Sequence, residues 1–470
     1  MQWYELLTER EVEQIHETSI QILATVGVDF RYAPALKVLK KGGARVDGER
    51  VFFPGRLVDE QIAKAPAEFT LYARDSDYDV LIGGEHMAFA PGYGATFVTD
   101  MEHGRREGIQ RDFKNFVKLT DASPYQDICS GIVIEPSDVP HEIRHAQAIY
   151  TAIKYSTKPF MGSAMGVQGA RDSIQLASIL FGDQNQLSQK PRMISILCSL
   201  TPLVFDERML GAIMEYAGAG QPQLISSLAI AGATSPVTLP GTLAVQNAEV
   251  LAGIVLTQLI REGTPVVFAG ASSATDMRTG SLSIGSPEMA LNTAATAQMA
   301  RFYGLPVRSG GAICDAKSPD AQAAGESMMN LMMAQVSGIN FVLHSAGILD
   351  SYNCISYEKF IIDDELCGMV KRIKQGYEVN ADKLAMEVIR EVGPGGHYLD
   401  RDHTFDHFRN EFYQPQLFRR DDFVSWQLNG SPRCMQAAHN RAREILESHE
   451  SPELPADVDR DMQAFIETLR

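Results

Sequence analysis

Apolar and polar positions change their spacing several times along the chain. Thr8-Glu9-Arg10-Glu11 has the form of a capping box, in which the Thr hydroxyl and the Glu carboxylate satisfy each other's backbone N–H groups. Val12, Ile15, Ile22, Leu23 and Val26 continue it as an apolar stripe, with Gly27 as a C-terminal stop, and this predicts a helix. Between residues 44 and 100 the pattern shifts to short extended pieces at 51–53, 69–72, 87–90 and 95–99, separated by Gly, Pro and Asp turns.

Past residue 110, seven short apolar runs (128–134, 159–165, 192–199, 223–229, 265–270, 306–310 and 339–345) alternate with stretches of helical period at 143–154, 172–181, 206–217, 243–261, 287–303 and 321–336. Buried strands separated by helices predict parallel pairing with right-handed crossovers. With an eighth unit placed after His344, the expected fold is α/β, a (β/α)8 TIM-type barrel at 111–395. An N-terminal α+β cap takes residues 1–110. A C-terminal wrapping tail with a helix through Ala437, Ala438, Ala442, Ile445 and Leu446 takes 396–470. No GxGxxG turn opens the first unit, which disfavours an open dinucleotide-binding sheet.

Composition narrows the partners. The 470 residues carry a formal charge of −17, without a basic block, so neither nucleic acid nor an anionic membrane is an expected partner. Apolar stretches such as 193–197 and 339–343 fall short of the ~20 residues of a spanning helix. The first residues lack the cationic start and apolar core of a secretion signal, and the six cysteines form no CxxC pair, so a reduced, cytoplasmic protein is expected.

His141-Glu142-Ile143-Arg144-His145 spells HExxH, but the following residues supply no third ligand, and it reads as the start of a crossover helix. His344 and Cys354 stand ten residues apart, so no metal is expected. Gly92-Tyr93-Gly94 and Gly393-Pro394-Gly395-Gly396 read as turns rather than phosphate cradles, with Tyr93 near the mouth. In a barrel the chemistry sits at the C-terminal strand ends, here Glu135, Gly166, Thr201, Thr234, Thr238, Ser272, Asp315 and His344. On these residues alone, Asp315 and His344 acting as an acid/base pair on a small anionic metabolite is one reading, and a non-catalytic binding barrel is another.

Several longer stretches carry a resemblance: Gly232 to Gly241 running into Gln246 to Gly253, Asp320 to Met329, Gly338 to Leu349, and Val392 to Leu399 followed by His403. They resemble the trimethylamine:corrinoid methyltransferase family, over nearly the whole chain. The resemblance implies a barrel that moves a methyl group from an amine to the Co(I) centre of a separate corrinoid protein. That corrinoid is presented by its own carrier, with no cofactor bound tightly by this chain. Founding members insert pyrrolysine; this chain has only standard residues, including across Gly325 to Gly338, and relatives of that kind resemble quaternary-amine demethylases.

The chemistry agrees. A permanently cationic R–N(CH3)3 expels a neutral amine without acid catalysis. Cobalt is the nucleophile, so no catalytic side chain is required, and the protein has to hold and aim the substrate. A quaternary ammonium calls for aromatic faces and carboxylates. Candidate substrate contacts are the aromatic residues Tyr93, Phe97, Tyr352, Tyr357 and Phe360 and the carboxylates Glu135, Glu249 and Asp315. For a betaine carboxylate they are His344 first, then Arg308, Asn353 or the backbone of Thr234 to Thr238. Glycine betaine is the leading substrate, ahead of proline betaine, carnitine and γ-butyrobetaine. The expected partners are that amine and a cognate corrinoid protein, with a homo-oligomer in view.

Overall fold

A computed structural model describes residues 3–129 and 131–470. Met1, Gln2 and Ser130, the last inside the expected 128–134 strand, lie outside the described residues.

The centre is a seven-stranded, wholly parallel half-barrel sheet. Its order is Ala88–Ala90, Phe341–Leu343, Val307–Arg308, Val266–Gly270, Gln223–Ser227, Met193–Cys198 and Phe160–Met161. Six strands and all six helices expected beyond residue 140 lie where the apolar period put them; Pro287–Phe302 and Ala321–Ser337, for example, match to within a residue at each end. The seventh strand does not come from the expected place. Ala88–Ala90, read as part of the cap, pairs in parallel with Phe341–Leu343, and a helix, Tyr357–Gln375, follows His344 where an eighth unit was expected.

The 128–134 run is not one strand. Cys129 bridges Phe160 in parallel, Asp127 and Ile128 donate their N–H groups to Phe89 O, and Ile134 bridges Ala95 instead. Residues 127–129 therefore hydrogen-bond to both edges of the sheet.

The strands' two-residue period divides the core. Ile194, Ile196, Leu224, Val267, Ala269, Phe341 and Leu343 fill the concave face, while Met193, Leu197, Ile225, Val266, Phe268 and Val342 pack under the helices. The hairpin Glu68–Leu71/Val80–Gly83 adds Leu71 and Ile82 to the concave cluster, just ahead of the sheet's first strand.

The predicted first helix forms at Glu9–Gln21 with both capping-box bonds, Thr8 N to Glu11 at 2.8 Å and Glu11 N to Thr8 Oγ at 3.3 Å. With Ala33–Lys41 and Gly55–Ile62 it packs on Leu239–Ile260. That 22-residue helix corrects the reading of the apolar stretches: it is long and apolar enough to cross a membrane, yet 89% of its apolar window is buried. It is apolar all round because the sheet covers one side and the N-terminal layer the other. The N-terminal layer is stitched to the main body, since Val28–Phe30 pairs in parallel with Val204–Phe205. All six cysteines are unpaired.

The hairpin side chains belong to the concave core, so Leu71→Ala should lower stability by ~2–5 kcal/mol, as a large-to-small change in a packed interior does. Chemical denaturation of the full chain measures it; a change below about 0.5 kcal/mol, the scale of surface sites, would show that the hairpin merely rests on the sheet.

Candidate functional site

Alternation along the strands brings a small set of groups together at their C-terminal ends. Val307 packs on the helix side, so the next residue, Arg308, faces the concave side. Its side chain is among the largest that are fully buried. Nη1 lies 3.5 Å from Gly270 O, Nε has no partner, and no carboxylate pairs with it among the described residues. Burial pulls its pKa below the ordinary guanidinium value, but a guanidinium keeps its proton in proteins. A buried cation without a partner anion is costly.

His344 leaves strand Phe341–Leu343 with φ 62°, and its Nδ1 accepts the Tyr93 N–H at 3.2 Å. The hydrogen of the neutral ring therefore sits on Nε2, free to donate. Burial first, and then the charge of Arg308, hold its pKa well below 6.5. The imidazole is a neutral donor at pH 7. The chain passes close by at Gly311, whose φ is 135° and where a Cβ would lie 2.5 Å from Leu343 O, so only glycine fits.

Tyr352 ends a run of three non-glycine residues with positive φ, after Asp350 and Ser351. This turn carries its ring back to His344, with centroids 4.6 Å apart at 44°. Its hydroxyl is buried without a partner. Backbone strain of this kind persists only where surroundings enforce it. Here Ser351 donates to Asp315 at 2.7 Å, and Asp350 pairs with Arg105 at 3.0 Å and Lys317 at 2.9 Å.

Asp315 is the centre of that fastening. It also accepts Ser283 Oγ at 3.0 Å, Ile284 N at 3.0 Å and Gly285 N at 2.9 Å. With four donors on two oxygens it positions the Tyr352 turn instead of facing a substrate. Glu249 is engaged in the same way: fully buried in Leu239–Ile260, it accepts Ser199 Oγ, Thr201 Oγ1 and Leu203 N and holds the turn after Met193–Cys198. Burial raises its pKa, opposed by those hydrogen bonds.

Tyr93 completes the cluster. Burial raises its phenol pKa, with Cys198 and Glu135 adding to the effect. A Cβ at Gly131 would lie 3.0 Å from its ring edge. Glu135 remains part-exposed, with Arg144 at 3.2 Å.

Four expected contacts lie elsewhere. Phe360 is buried beneath the helices, 6.0 Å from the Phe116 ring. Phe97 packs with Cys314, Leu349 and Cys354 and lies under the Arg105 guanidinium at 4.2 Å. Asn353 is exposed and turned to Asp350 O at 2.8 Å. Tyr357 likewise donates to Asp112 and stacks on Phe116 at 4.5 Å, away from the strand ends. Chain proximity to the mouth suggested these four, but they serve the loops, strands and helices that surround it.

The HExxH residues diverge: His141 and Glu142 are exposed, whereas His145 binds Asp172 at 2.7 Å. In the tail, Asp382, His403 and His407 bring ligand-type atoms within 4.8 Å of one another. His407 Nε2 pairs with Asp382 at 3.2 Å, while the Lys383 ammonium lies 3.4 Å from its Nδ1 and pairs with Glu411.

Cys198, on the concave side of its strand and acted on by the charge of Arg308, was not among the expected contacts. Counting the two-residue period forward from Ile194 through Ile196 reaches it.

The family described as trimethylamine methyltransferase (MTTB) matches residues 1–470. This chain belongs to that family. A glycine betaine methyltransferase of Desulfitobacterium hafniense (strain Y51) is 48% identical over 463 residues, covering 98% of this chain and 96% of that protein. A proline betaine:corrinoid methyltransferase of Eubacterium limosum is 34% identical, covering 87% and 86%. The trimethylamine methyltransferase MttB of Desulfitobacterium hafniense (strain DSM 10664 / DCB-2) is 30% identical, covering 98% and 93%. The crystal structure of the monomethylamine methyltransferase MtmB of Methanosarcina barkeri shares the fold, with a TM-score of 0.56 at 12% identity over 96% of this chain and 90% of that one.

The depressed pKa of His344 has a signed consequence. Its folded value lies below the unfolded ~6.5, so its contribution is intact above that pH and is lost as pH falls, at up to ~1.4 kcal/mol per unit for one group. Denaturation from pH 8 to pH 5 should show His344→Gln losing less stability on acidification than the parent chain. Parallel pH profiles for the two proteins would contradict the assignment.

Proposed function

We propose that this protein transfers a methyl group from glycine betaine to the Co(I) centre of a partner corrinoid protein, and that the buried, anion-free guanidinium of Arg308 carries the choice of a betaine. In the transfer the cobalt electron pair forms the Co–CH3 bond while the N–CH3 bond breaks, its electrons staying on nitrogen, so the product is dimethylglycine with an uncharged amine and its carboxylate still anionic. Arg308 receives the substrate carboxylate as a charge-assisted pair, and His344 Nε2–H adds a neutral donor. The rings of Tyr93 and Tyr352 face the trimethylammonium head, and Glu135 contributes negative potential beside Tyr93. Asp315 and Glu249 act as positioning residues through the turns they fasten. The likeness to the glycine betaine and proline betaine enzymes supports the substrate class.

The same reading gives the partner its approach. Leu200, Val237 and Met277 are exposed large apolar side chains on loops that follow strands of the sheet, and they form an apolar rim for the corrinoid protein. We further read residues 127–129 as the eighth stave of a (β/α)8 barrel, supported by their hydrogen bonds to Phe89 and Pro159. The cap boundary then falls before Ala88, ahead of the barrel and the tail. Six unpaired cysteines suit a cytoplasmic enzyme.

An acid/base hydrolase or lyase built on Asp315 and His344 gains no support, because four donors occupy the Asp315 carboxylate and the imidazole's Nδ1 is taken.

The direct test is anaerobic methyl transfer to Co(I) cobalamin, followed in the visible spectrum. Glycine betaine should methylate it; no transfer from glycine betaine, proline betaine, carnitine or γ-butyrobetaine would overturn the reading, and tight amine binding without transfer would make the protein a binding barrel.

Arg308→Met should raise KM for glycine betaine about 10- to 100-fold, the range of a charge-assisted hydrogen bond of ~1.5–3 kcal/mol, while leaving the weak binding of tetramethylammonium within about twofold. Equal losses for both ligands would remove Arg308 from carboxylate recognition.

A further inference from the structure

The chain past residue 375 holds a group of ligand-type side chains that methyl transfer does not use. It leaves the body at the end of helix Tyr357–Gln375, where Lys374 donates to Glu85 O just before strand Ala88–Ala90, at the N-terminal end of the sheet's strands. The helices Ala381–Leu384, Met386–Val392 and Asp402–Glu411 follow, and none of the three has a buried residue. Helices of four to ten residues have little stability of their own in water and depend on something else to hold them.

His403 and His407 stand four residues apart on the last of these helices, so their imidazoles share one face, with ring centroids 4.4 Å apart. Asp382, from the first helix, meets both. His407 Nε2 lies 3.2 Å from its Oδ2, and His403 Nε2 lies 3.2 Å from its backbone oxygen. One ring nitrogen of each histidine and one Asp382 oxygen fall within 4.8 Å of one another. A cavity of about 350 Å3 opens beside the two histidines, and its charged lining is Glu378, Lys383 and Glu411. With Asp382, three carboxylates face one ammonium, and that balance draws in a cation. The histidine helix is also anchored: Arg372 Nη2 donates to Glu411 O at 2.7 Å from the end of Tyr357–Gln375.

We propose that Asp382, His403 and His407 bind a zinc ion that pins helix Asp402–Glu411 to helix Ala381–Leu384. Two imidazoles at one-turn spacing with a carboxylate suit zinc, whereas magnesium and calcium take oxygen ligands. Bonds of about 2.0–2.2 Å in a tetrahedron set neighbouring donors roughly 3.3–3.5 Å apart. Asp382 and His407 are already at that separation, and the wider ones close by rotation of side chains that reach the surface. Water takes the fourth position from the cavity side. With zinc on Nε2, the hydrogen of His407 sits on Nδ1, 3.4 Å from the Lys383 ammonium, so the charge of Lys383 weakens the site while its pairing with Glu411 holds it back. The sequence conceals this set because its third ligand lies 21 residues before His403, on a different helix. The ion holds the tail together and takes no part in methyl transfer, so the proposal stands apart from the reading of Arg308 and His344.

Calorimetric titration of the full, untagged chain with zinc chloride, after a chelator has been applied and dialysed away, tests it. One zinc per chain is expected, with no binding of magnesium at the same concentration. His403→Gln and His407→Gln should each weaken zinc binding by more than about tenfold, at least the loss that follows removal of a group that merely orients a ligand. His141→Gln, at an exposed histidine outside the set, should leave it within about twofold, and Lys383→Gln should tighten it. Absence of zinc uptake overturns the proposal, as does uptake that both histidine variants keep within twofold, or a weaker site in Lys383→Gln. If the histidine variants prove unfolded by their far-ultraviolet spectra, proteolysis of the parent chain decides: zinc should slow cleavage within residues 377–412 and magnesium should not, and cleavage that zinc leaves unchanged overturns the proposal.

Discussion

A guanidinium held out of water with no carboxylate beside it among the described residues is the constraint on which the site depends. Burial of that kind is tolerated when an anion arrives to complete it, and Arg308 sits where the strand alternation turns it away from the helices and towards the concave face. Its charge is also felt by the groups around it. It disfavours the imidazolium of His344 and opposes the rise that burial imposes on the Tyr352 phenol and the Cys198 thiol. Burial first, and that cation second, keeps the His344 ring neutral, and a neutral imidazole beside Arg308 can donate a hydrogen bond without adding a second positive charge.

The carboxylates divide the labour differently. Asp315 and Glu249 spend their oxygens on backbone N–H groups and hydroxyls, tying loops that carry strained backbone. A reaction in which the leaving amine carries away its own electron pair requires no side-chain acid, so these groups are available for construction. Glu135, paired with Arg144 and with part of its surface in water, keeps the freedom to act through its field.

Much of the fold was legible because long helices and buried strands repeat their apolar period over enough residues to be counted. Pro287–Phe302 and Leu239–Ile260 are examples, although the second was not seen as one apolar helix, because Gln246, Asn247 and Glu249 interrupt the run. Ala88–Ala90 forms as the extended piece expected at 87–90, but its place in the central sheet was not legible, because an alanine pair around one phenylalanine looks the same in a cap as in a sheet. At the site, His344 was legible from its place after a strand, and so was Asp315, although its role was not. A carboxylate at a strand end reads identically whether it meets a ligand or a neighbouring N–H. Phe360 shows the converse difficulty, since helical phase, not distance along the chain, decides whether a side chain looks towards the mouth or the helix layer.

The hairpin whose Leu71 and Ile82 join the concave core has a kinetic meaning. Leu71 and Ile82 fill one end of the sheet's interior, while Arg308 and His344 lie at the other. Under the proposed transfer, amine entry and carrier docking share that second end, so an amine that binds first and a product that leaves last is the order this geometry favours.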